Sequence, residues 1–260
     1  MSEAVIEGKK VTVIFDTGAP GLVLNSNHYF QKSTASIPCS GINGSFSCSE
    51  YKISKWTWMD VAQKNTTAFL SDLTFLEKAL GREVHALIGL SALENFFVSL
   101  DFDHMSITLS ERMKVEKQSA LRFQYADHLP VINCRVNGVK KKLALDTGSG
   151  INYLFSHDNS ENENWMTETS PVIVTGTENA AELKHGQWMD LNVADQFQYT
   201  SEFIFDPYKT GSFQPTTFDG LLGQPFLQKF NITIHPAKQI IILTARAEGN
   251  DVSGSLTAQF

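Results

Sequence analysis

The sequence predicts a mainly β protein with a few short helices, built as two related halves. Apolar residues alternate along several short segments, which is the pattern of half-buried strands. The tripeptide Asp16-Thr17-Gly18 recurs as Asp146-Thr147-Gly148, so the offset between residue 16 and residue 146 is 130 in a chain of 260. Apolar spacing typical of helical turns occurs only in short stretches, at residues 92–97 and 226–230.

The strands around these tripeptides are predicted from local patterns. Alternation with period two places every second side chain on the same face of a strand, where it can be buried. The apolar residues of 232–234 and 240–243 predict a hairpin near the end of the chain. The residues that alternate before the two tripeptides are Val11, Val13 and Phe15, and then Leu143 and Leu145.

Further matches at a fixed offset indicate an internal duplication. Offset 130 also relates Trp58-Met59-Asp60 to Trp188-Met189-Asp190, and Gly8 to Gly138. We expect the paired Trp and Met residues to lie in the core, because burial of a duplicated strand explains them. Apolar matches at offset 134 follow, which predicts an insertion of four residues in a loop: Leu87-Ile88-Gly89/Leu221-Leu222-Gly223, Leu93/Leu227, Phe96/Phe230, Val98/Ile232, Leu100/Ile234, Ile107/Ile241 and Leu109/Leu243.

The repeat divides the chain into two lobes, at residues 1–112 and 125–244. Charged residues make 113–124 a predicted linker, and the tail at 245–260 could add an edge strand. The second copy has an apolar run before Gly138, whereas only seven residues precede Gly8. We therefore expect the outer strand of the first lobe to be missing, or to be supplied by the tail or a partner.

Composition excludes several classes of function. With 42% apolar residues the chain can form a large core, and a net charge of -7 without a Lys/Arg-rich stripe argues against a nucleic-acid partner. No apolar stretch approaches the ~18 residues of a membrane span, and residues 1–10 lack the apolar core of a signal peptide. No His or Cys spacing indicates a metal site, and the histidines are expected at the surface.

The two Asp-Thr-Gly turns offer a pair of carboxyl groups. A glycine after a buried strand permits a sharp turn that presents the aspartate at the strand end. A single carboxylate cannot both activate a water and protonate a leaving group. If a pseudo-twofold axis brings Asp16 and Asp146 together, the two like charges cannot both form, and one proton is shared. Asp16 and Asp146 are therefore the candidate catalytic residues.

At these residues the chain resembles the aspartic peptidases, and more narrowly the retropepsin-like and bacterial aspartyl peptidase group. The motifs are Asp16-Thr17-Gly18-Ala19, Asp146-Thr147-Gly148-Ser149-Gly150, Ala86-Leu87-Ile88-Gly89 and Asp219-Gly220-Leu221-Leu222-Gly223. The resemblance implies an acid-protease-like β-barrel fold with two pseudo-twofold-related lobes. It implies a water between Asp16 and Asp146 that attacks a peptide carbonyl, without metal or other cofactor. We expect a monomer with two fused lobes that acts on extended, largely apolar peptide or protein segments, in the cell envelope or secreted.

The same resemblance assigns supporting roles around the two aspartates. Thr17 and Thr147 would hydrogen-bond across the lobe interface, and Gly18 and Gly148 would donate backbone N–H groups to the carboxylates. Ser149 takes the position that Ala19 has in the first copy. Its hydroxyl could donate to the outer carboxylate oxygen, which favours the charged form. We therefore expect Asp146 to be the anionic member of the pair and Asp16 the protonated one.

A glycine-rich segment resembles the tip of a retropepsin flap. Gly41-Ile42-Asn43-Gly44 begins 25 residues after Asp16, and Gly176, within Val174-Thr175-Gly176-Thr177, is a weaker counterpart. An ordinary hairpin turn also fits, since Asn-Gly favours tight turns. Cys39 and Cys48 flank this segment and could either pair across the hairpin or remain reduced.

Two other functions fit parts of the pattern. A peptide-binding protein could retain the fold without activity, because fold does not guarantee function. Actin-like ATPases and sugar kinases also carry two Asp-x-Gly turns in duplicated halves, where the turns bind phosphates. They require long helices after the strands and have no matching pair of hydrophobic-hydrophobic-Gly motifs.

Overall fold

Two closed six-stranded β-barrels, one in each lobe, form the protein, and the predicted mainly β, bilobal fold is confirmed. The computed structural model describes residues 1–29, 36–41, 44–59, 61–115, 120–155, 170–175, 181–205 and 217–246. No helix within these ranges is long and apolar enough to cross a membrane.

The first barrel has the strand order β1-β2-β7-β3-β6-β5 and closes by pairing β1 with β5. Strand β4 pairs with the outer part of β5 and lies at the edge of the sheet. The elements of this lobe are β1 (Ser2–Ile6), β2 (Lys9–Phe15), β3 (Leu22–Asn25), β4 (Ser36–Gly41), β5 (Gly44–Trp58), β6 (Val61–Ser71), α1 (Thr74–Leu80), β7 (Ala86–Ile88), a 3₁₀ helix (Leu90–Leu93), β8 (Phe97–Asp101) and β9 (Ser106–Ser110).

The first residues of the chain form the outer strand that we expected to be missing. Strand β1 pairs with β2 on one side, and Ala4 pairs with Trp58 of β5 on the other. Ala4 and Ile6 are buried. The expectation was wrong because five residues are enough for a strand when alternate side chains enter the core.

The second barrel repeats this arrangement with the order β12-β13-β18-β14-β17-β16, closed by pairing β12 with β16. Two further strands, β11 and β15, lie at the edges of its sheet. The elements are β10 (Ala120–Arg122), β11 (Gln124–Ala126), β12 (Leu129–Val136), β13 (Val139–Leu145), β14 (Asn152–Leu154), β15 (Ser170–Thr175), β16 (Ala181–Val193), β17 (Phe197–Phe205), β18 (Gly220–Leu222), α2 (Gln224–Leu227), β19 (Phe230–His235) and β20 (Ile240–Ala245).

A five-stranded sheet joins the two lobes, in the order β10-β20-β19-β8-β9. Strand β10 comes from the segment that we predicted as a linker, and it pairs with β20. Across the junction, β8 of the first lobe pairs with β19 of the second, with Ser99 opposite Thr233. Their hydroxyl oxygens are 2.9 Å apart. Because β8 and β19 are equivalent strands of the repeat, the pseudo-twofold axis passes between Ser99 and Thr233.

The repeated Trp-Met dipeptides are buried differently in the two lobes. Trp58 is 1% exposed and Met59 is 48% exposed, whereas Trp188 is 68% exposed and Met189 is 1% exposed. The expectation that both pairs lie in the core was therefore wrong for Met59 and Trp188.

The register of the barrels explains this difference. Ala4 pairs with Trp58, while Cys134, its counterpart in the second lobe, pairs with Val193. The structural equivalent of Trp58 is thus Val193, and Trp188 precedes Val193 by five residues. An odd shift along a strand moves a side chain to the opposite face. The Trp-Met-Asp match at offset 130 is therefore out of structural register.

The cysteines resolve an alternative that the sequence left open. Cys39 on β4 and Cys48 on β5 form a disulfide, with their Cα atoms 5.9 Å apart. Cys134 is free and buried. The disulfide cross-links the two strands of the hairpin that contains the predicted flap.

Candidate active site

Each candidate aspartate lies immediately after a buried barrel strand. Asp16 follows β2, and its backbone N–H donates to the carbonyl oxygen of Ile88 at 3.0 Å. Asp146 follows β13, and its N–H donates to the carbonyl oxygen of Leu222, also at 3.0 Å. Strands β7 and β18 run parallel to β2 and β13, so the hydrophobic-hydrophobic-Gly motifs hold the two aspartate turns from beneath.

The glycines that end these motifs allow the loops to approach closely. A Cβ at Gly89 would lie 2.1 Å from the carbonyl oxygen of Ala19, and one at Gly223 would lie 2.2 Å from that of Ile151. These distances are shorter than any non-bonded carbon–oxygen contact. Only glycine therefore fits beneath each aspartate turn.

Reciprocal hydrogen bonds between the two threonines join the lobes at the site. The N–H of Thr17 donates to Oγ1 of Thr147 at 3.0 Å, and the N–H of Thr147 donates to Oγ1 of Thr17 at 2.9 Å. The Thr17 hydroxyl also donates to the carbonyl oxygen of Leu145 at 2.8 Å. The hydrogen bonds that we expected across the interface are thus present, and they fix both turns relative to each other.

The two carboxyl groups meet at the lobe interface, within hydrogen-bonding reach of each other. The N–H of Gly18 donates to Oδ1 of Asp16 at 2.8 Å, and the N–H of Gly148 donates to Oδ1 of Asp146 at 2.9 Å. Each glycine also faces the opposite carboxyl. A Cβ at Gly18 would lie 2.5 Å from Oδ1 of Asp146, and one at Gly148 would lie 2.8 Å from Oδ1 of Asp16.

Burial is the main cause that raises the pKa of both carboxyls. Both residues remain partly exposed to solvent, but protein atoms enclose the carboxyl groups closely enough to disfavour their charged forms. The charge of Asp16 raises the pKa of Asp146 further, to about 8. Backbone N–H groups and His128 act on Asp16 in the opposite direction. Two buried carboxyls this close cannot both be ionised, so the pair shares one proton.

The expectation that Asp146 carries the charge depended on a hydroxyl bond from Ser149. The Ser149 hydroxyl donates to the carbonyl oxygen of Ile151 at 2.8 Å, and so it shapes its own turn. The hydroxyl bond that we expected from Ser149 to the Asp146 carboxylate is thus replaced by a local one. Ser149 favours the charged form of Asp146 only through its backbone N–H, as Gly148 does through its own.

His128 is a residue of the site that the sequence did not reveal. It lies in the turn between β11 and β12, and its Nε2 is 2.8 Å from the carbonyl oxygen of Gly18. Since a carbonyl oxygen only accepts, Nε2 is the donor. The expectation that this histidine is an ordinary surface residue was wrong, because its ring contacts the aspartate turn of the other lobe. No local pattern indicated the contact, since 110 residues separate His128 from Gly18 in the chain.

Gln224 is a second supporting residue that we did not single out. Its backbone N–H donates to the carbonyl oxygen of Ser149 at 2.8 Å, and its side-chain amide donates to that of Thr147 at 2.6 Å. It directly follows Gly223, the last residue of a motif that we had already identified. Its place directly after this motif was the feature of the sequence that could have indicated a role beneath the aspartate turn.

The predicted flap is described only in part. Gly41 and Gly44 pair with each other at the end of the β4–β5 hairpin. Ile42 and Asn43 lie outside the described residues, as does Gly176. The hairpin thus exists, while its interpretation as a flap stays a prediction.

Comparisons with known proteins do not identify the chain. No family model matches it, and no curated protein matches it. Within the described part of the chain, no group of three or more His, Cys, Asp or Glu residues could hold a metal ion. The geometry of the site is therefore the basis for assigning a function.

Proposed function

We propose that the protein is an aspartic endopeptidase, which hydrolyses peptide bonds with the Asp16/Asp146 pair. The observation that carries this proposal is the pair of adjacent carboxyls, held in two equivalent turns by glycine N–H donors and the threonine pair. Carboxyls this close share one proton. Such a pair contains a base and an acid at the same pH, which is what hydrolysis of a peptide by water requires.

The proposed reaction uses the two aspartates in turn. Asp16 accepts a proton from a water as its oxygen attacks the peptide carbonyl, and Asp146 donates its proton to the carbonyl oxygen. A neutral tetrahedral diol results. Asp16 then gives its proton to the departing nitrogen, and Asp146 recovers a proton from one of the two hydroxyls. The C–N bond breaks, and the pair returns to its starting state.

The edges of the two sheets support an extended substrate. Strands β4 and β15 each lie at the end of the strand order in their lobe, so among the described strands each has one backbone edge without a neighbour. An extended peptide can add to such an edge through main-chain hydrogen bonds. We expect extended, largely apolar peptide or protein segments to bind in this way, with specificity from side-chain pockets.

The Cys39–Cys48 disulfide supports a location in the cell envelope or outside the cell. Disulfides form and persist in oxidising compartments and are rare in the cytosol. This observation agrees with the location that the resemblance to bacterial aspartyl peptidases implies.

The two other functions have less support. An actin-like ATPase or sugar kinase needs long helices, whereas α1 and α2, the α-helices of the described residues, have seven and four residues. A peptide-binding protein without activity would not need these groups, whereas the carboxyls, their glycine N–H donors and the threonine pair are all in place.

Cleavage of a mixed peptide library across acidic to neutral pH tests the proposal. We expect cleavage that pepstatin inhibits and that Asp16→Asn and Asp146→Asn each reduce by at least about 10³-fold. Asp195→Asn is the matched control, since Asp195 lies in an exposed turn of the second lobe. No cleavage by the wild-type protein at any pH would contradict the proposal, as would equal activity of the Asp16→Asn variant.

A further inference from the structure

We propose that His128 is a positioning residue that makes Asp16 the ionised, proton-accepting member of the pair. This inference rests on the proposed function, because it assigns the roles of base and acid within the same site. It starts from a contact between the lobes, in which a turn of the second lobe reaches the aspartate turn of the first.

His128 holds Gly18, the residue whose N–H supports Asp16. The Gly18 carbonyl oxygen accepts the bond from Nε2 of His128 at 2.8 Å, while the Gly18 N–H donates to Oδ1 of Asp16 at 2.8 Å. Gly18 also faces Oδ1 of Asp146, from which a Cβ would be only 2.5 Å away. Because Gly18 is held at both its carbonyl oxygen and its N–H, the first aspartate turn keeps a fixed position relative to both carboxyls.

This contact breaks the symmetry of the pair. His128 belongs to the β11–β12 hairpin of the second lobe, and its ring contacts the aspartate turn of the first lobe. Among the described residues, no side chain makes a matching bond to the carbonyl oxygen of Gly148. Within the described residues, the two turns therefore differ by one histidine, which lies on the side of Asp16.

The charge of His128 acts on Asp16 in the direction that the roles require. The titratable groups that bear on the Asp16 carboxyl are Asp146 and His128, and Asp127 is next to His128 in the turn. A positive charge on His128 favours the anion of Asp16 and lowers its pKa. The main charge effect on Asp146 is instead the negative charge of Asp16, which raises the pKa of Asp146. The histidine thus directs the shared proton to Asp146.

Three substitutions separate the hydrogen bond of His128 from its charge. His128→Gln retains an N–H donor without the charge, His128→Lys retains the charge, and His128→Ala removes both. We expect the acidic limb of the kcat/KM profile to move upward by about one pH unit in His128→Gln, since an opposite charge nearby shifts a pKa by about 1 to 3 units. His128→Lys should restore the limb. His128→Ala should shift the limb and also lower kcat on the plateau.

The matched control is His104→Gln. His104 is exposed in the turn between β8 and β9 and pairs with Asp101, so it is a histidine beside a carboxylate outside the site. This variant should leave the acidic limb unchanged. If His104→Gln moved the limb as far as His128→Gln, the shift would be a general effect of net charge and the inference would be overturned.

A carboxyl titration keeps this inference separate from the proposed function. The protein with ¹³C-labelled Asp carboxyls is titrated by NMR, and the lower midpoint of the Asp16/Asp146 pair is compared between wild type and His128→Gln. An upward shift of about one pH unit supports the inference, whether or not any peptide is cleaved. An unchanged midpoint overturns it even if the wild type is an active peptidase. Should His128→Gln fail to fold, His128→Lys serves instead, and a midpoint displaced from that of the wild type by more than about one unit would overturn it.

Discussion

The Thr17 hydroxyl should contribute more to stability than the Thr147 hydroxyl, although the two are equivalent in sequence. Thr17 is fully buried, and its Oγ1 both accepts from the N–H of Thr147 at 2.9 Å and donates to the carbonyl oxygen of Leu145 at 2.8 Å. Oγ1 of Thr147 accepts from the N–H of Thr17 at 3.0 Å. Thr17→Val therefore removes a partner from two backbone groups, and Thr147→Val from one.

The size of the difference follows from the cost of an unpaired buried polar group. That cost is about 1 to 3 kcal/mol for each group. We expect Thr17→Val to lower the free energy of unfolding by about 2 to 5 kcal/mol and Thr147→Val by about half as much. For a protein of this size, 1 kcal/mol lowers Tm by about 2 to 4 °C, so the two variants should be clearly separated.

Thermal unfolding of wild type, Thr17→Val, Thr147→Val and Thr17→Ser measures this effect. Thr17→Ser is the control, because it retains the hydroxyl and should recover most of the lost Tm. The reasoning fails if the two valine variants unfold at the same temperature. It also fails if Thr17→Ser is as unstable as Thr17→Val, because packing of the methyl group would then explain the loss.

Two further predictions concern the carboxyl pair. Gly18→Ala should lower kcat/KM by at least about 10²-fold, because its Cβ would be 2.5 Å from Oδ1 of Asp146 and would displace that carboxyl. Gly8→Asn is the control and should retain activity, because a Cβ at Gly8 meets nothing within 4 Å. Asp146→Asn should stabilise the protein at neutral pH but not at acidic pH. The pKa of Asp146 is raised from 3.8 to about 8, so the unfolded chain releases its proton at lower pH than the folded protein. Wild-type stability should thus fall by up to about 1.4 kcal/mol per pH unit between these values, and parallel Tm curves of wild type and Asp146→Asn against pH would contradict this.

The barrels were predictable where local patterns carry the information. Alternating apolar residues before Asp16 and Asp146 predicted strands, and β2 and β13 lie there. Strand β1 was missed because five residues without a preceding turn give too short a pattern to identify. Its pairing partners, β2 and β5, are what make this segment a strand.

Register was less predictable than the presence of strands. The repeated Trp-Met-Asp letters indicated that Trp58 and Trp188 are equivalent, yet Val193 takes the place of Trp58 in the second barrel. Register depends on which residues pair across the barrel, and that is decided by the core as a whole. One residue of error in a sequence alignment exchanges the buried and exposed faces.

The amino-acid sequence was sufficient to establish the duplication, the two aspartates and the glycines beside them. These features are local, since each depends on a strand, a turn and a residue small enough for a close approach. The distribution of the proton between Asp16 and Asp146 depends on groups that are distant in the chain. His128 contacts Gly18 across 110 residues, and Ser149, the nearest candidate in sequence, directs its hydroxyl to its own turn. Electrostatic interactions act through space, so the folded arrangement of the lobes is what distinguishes two carboxyls that the repeat makes look identical.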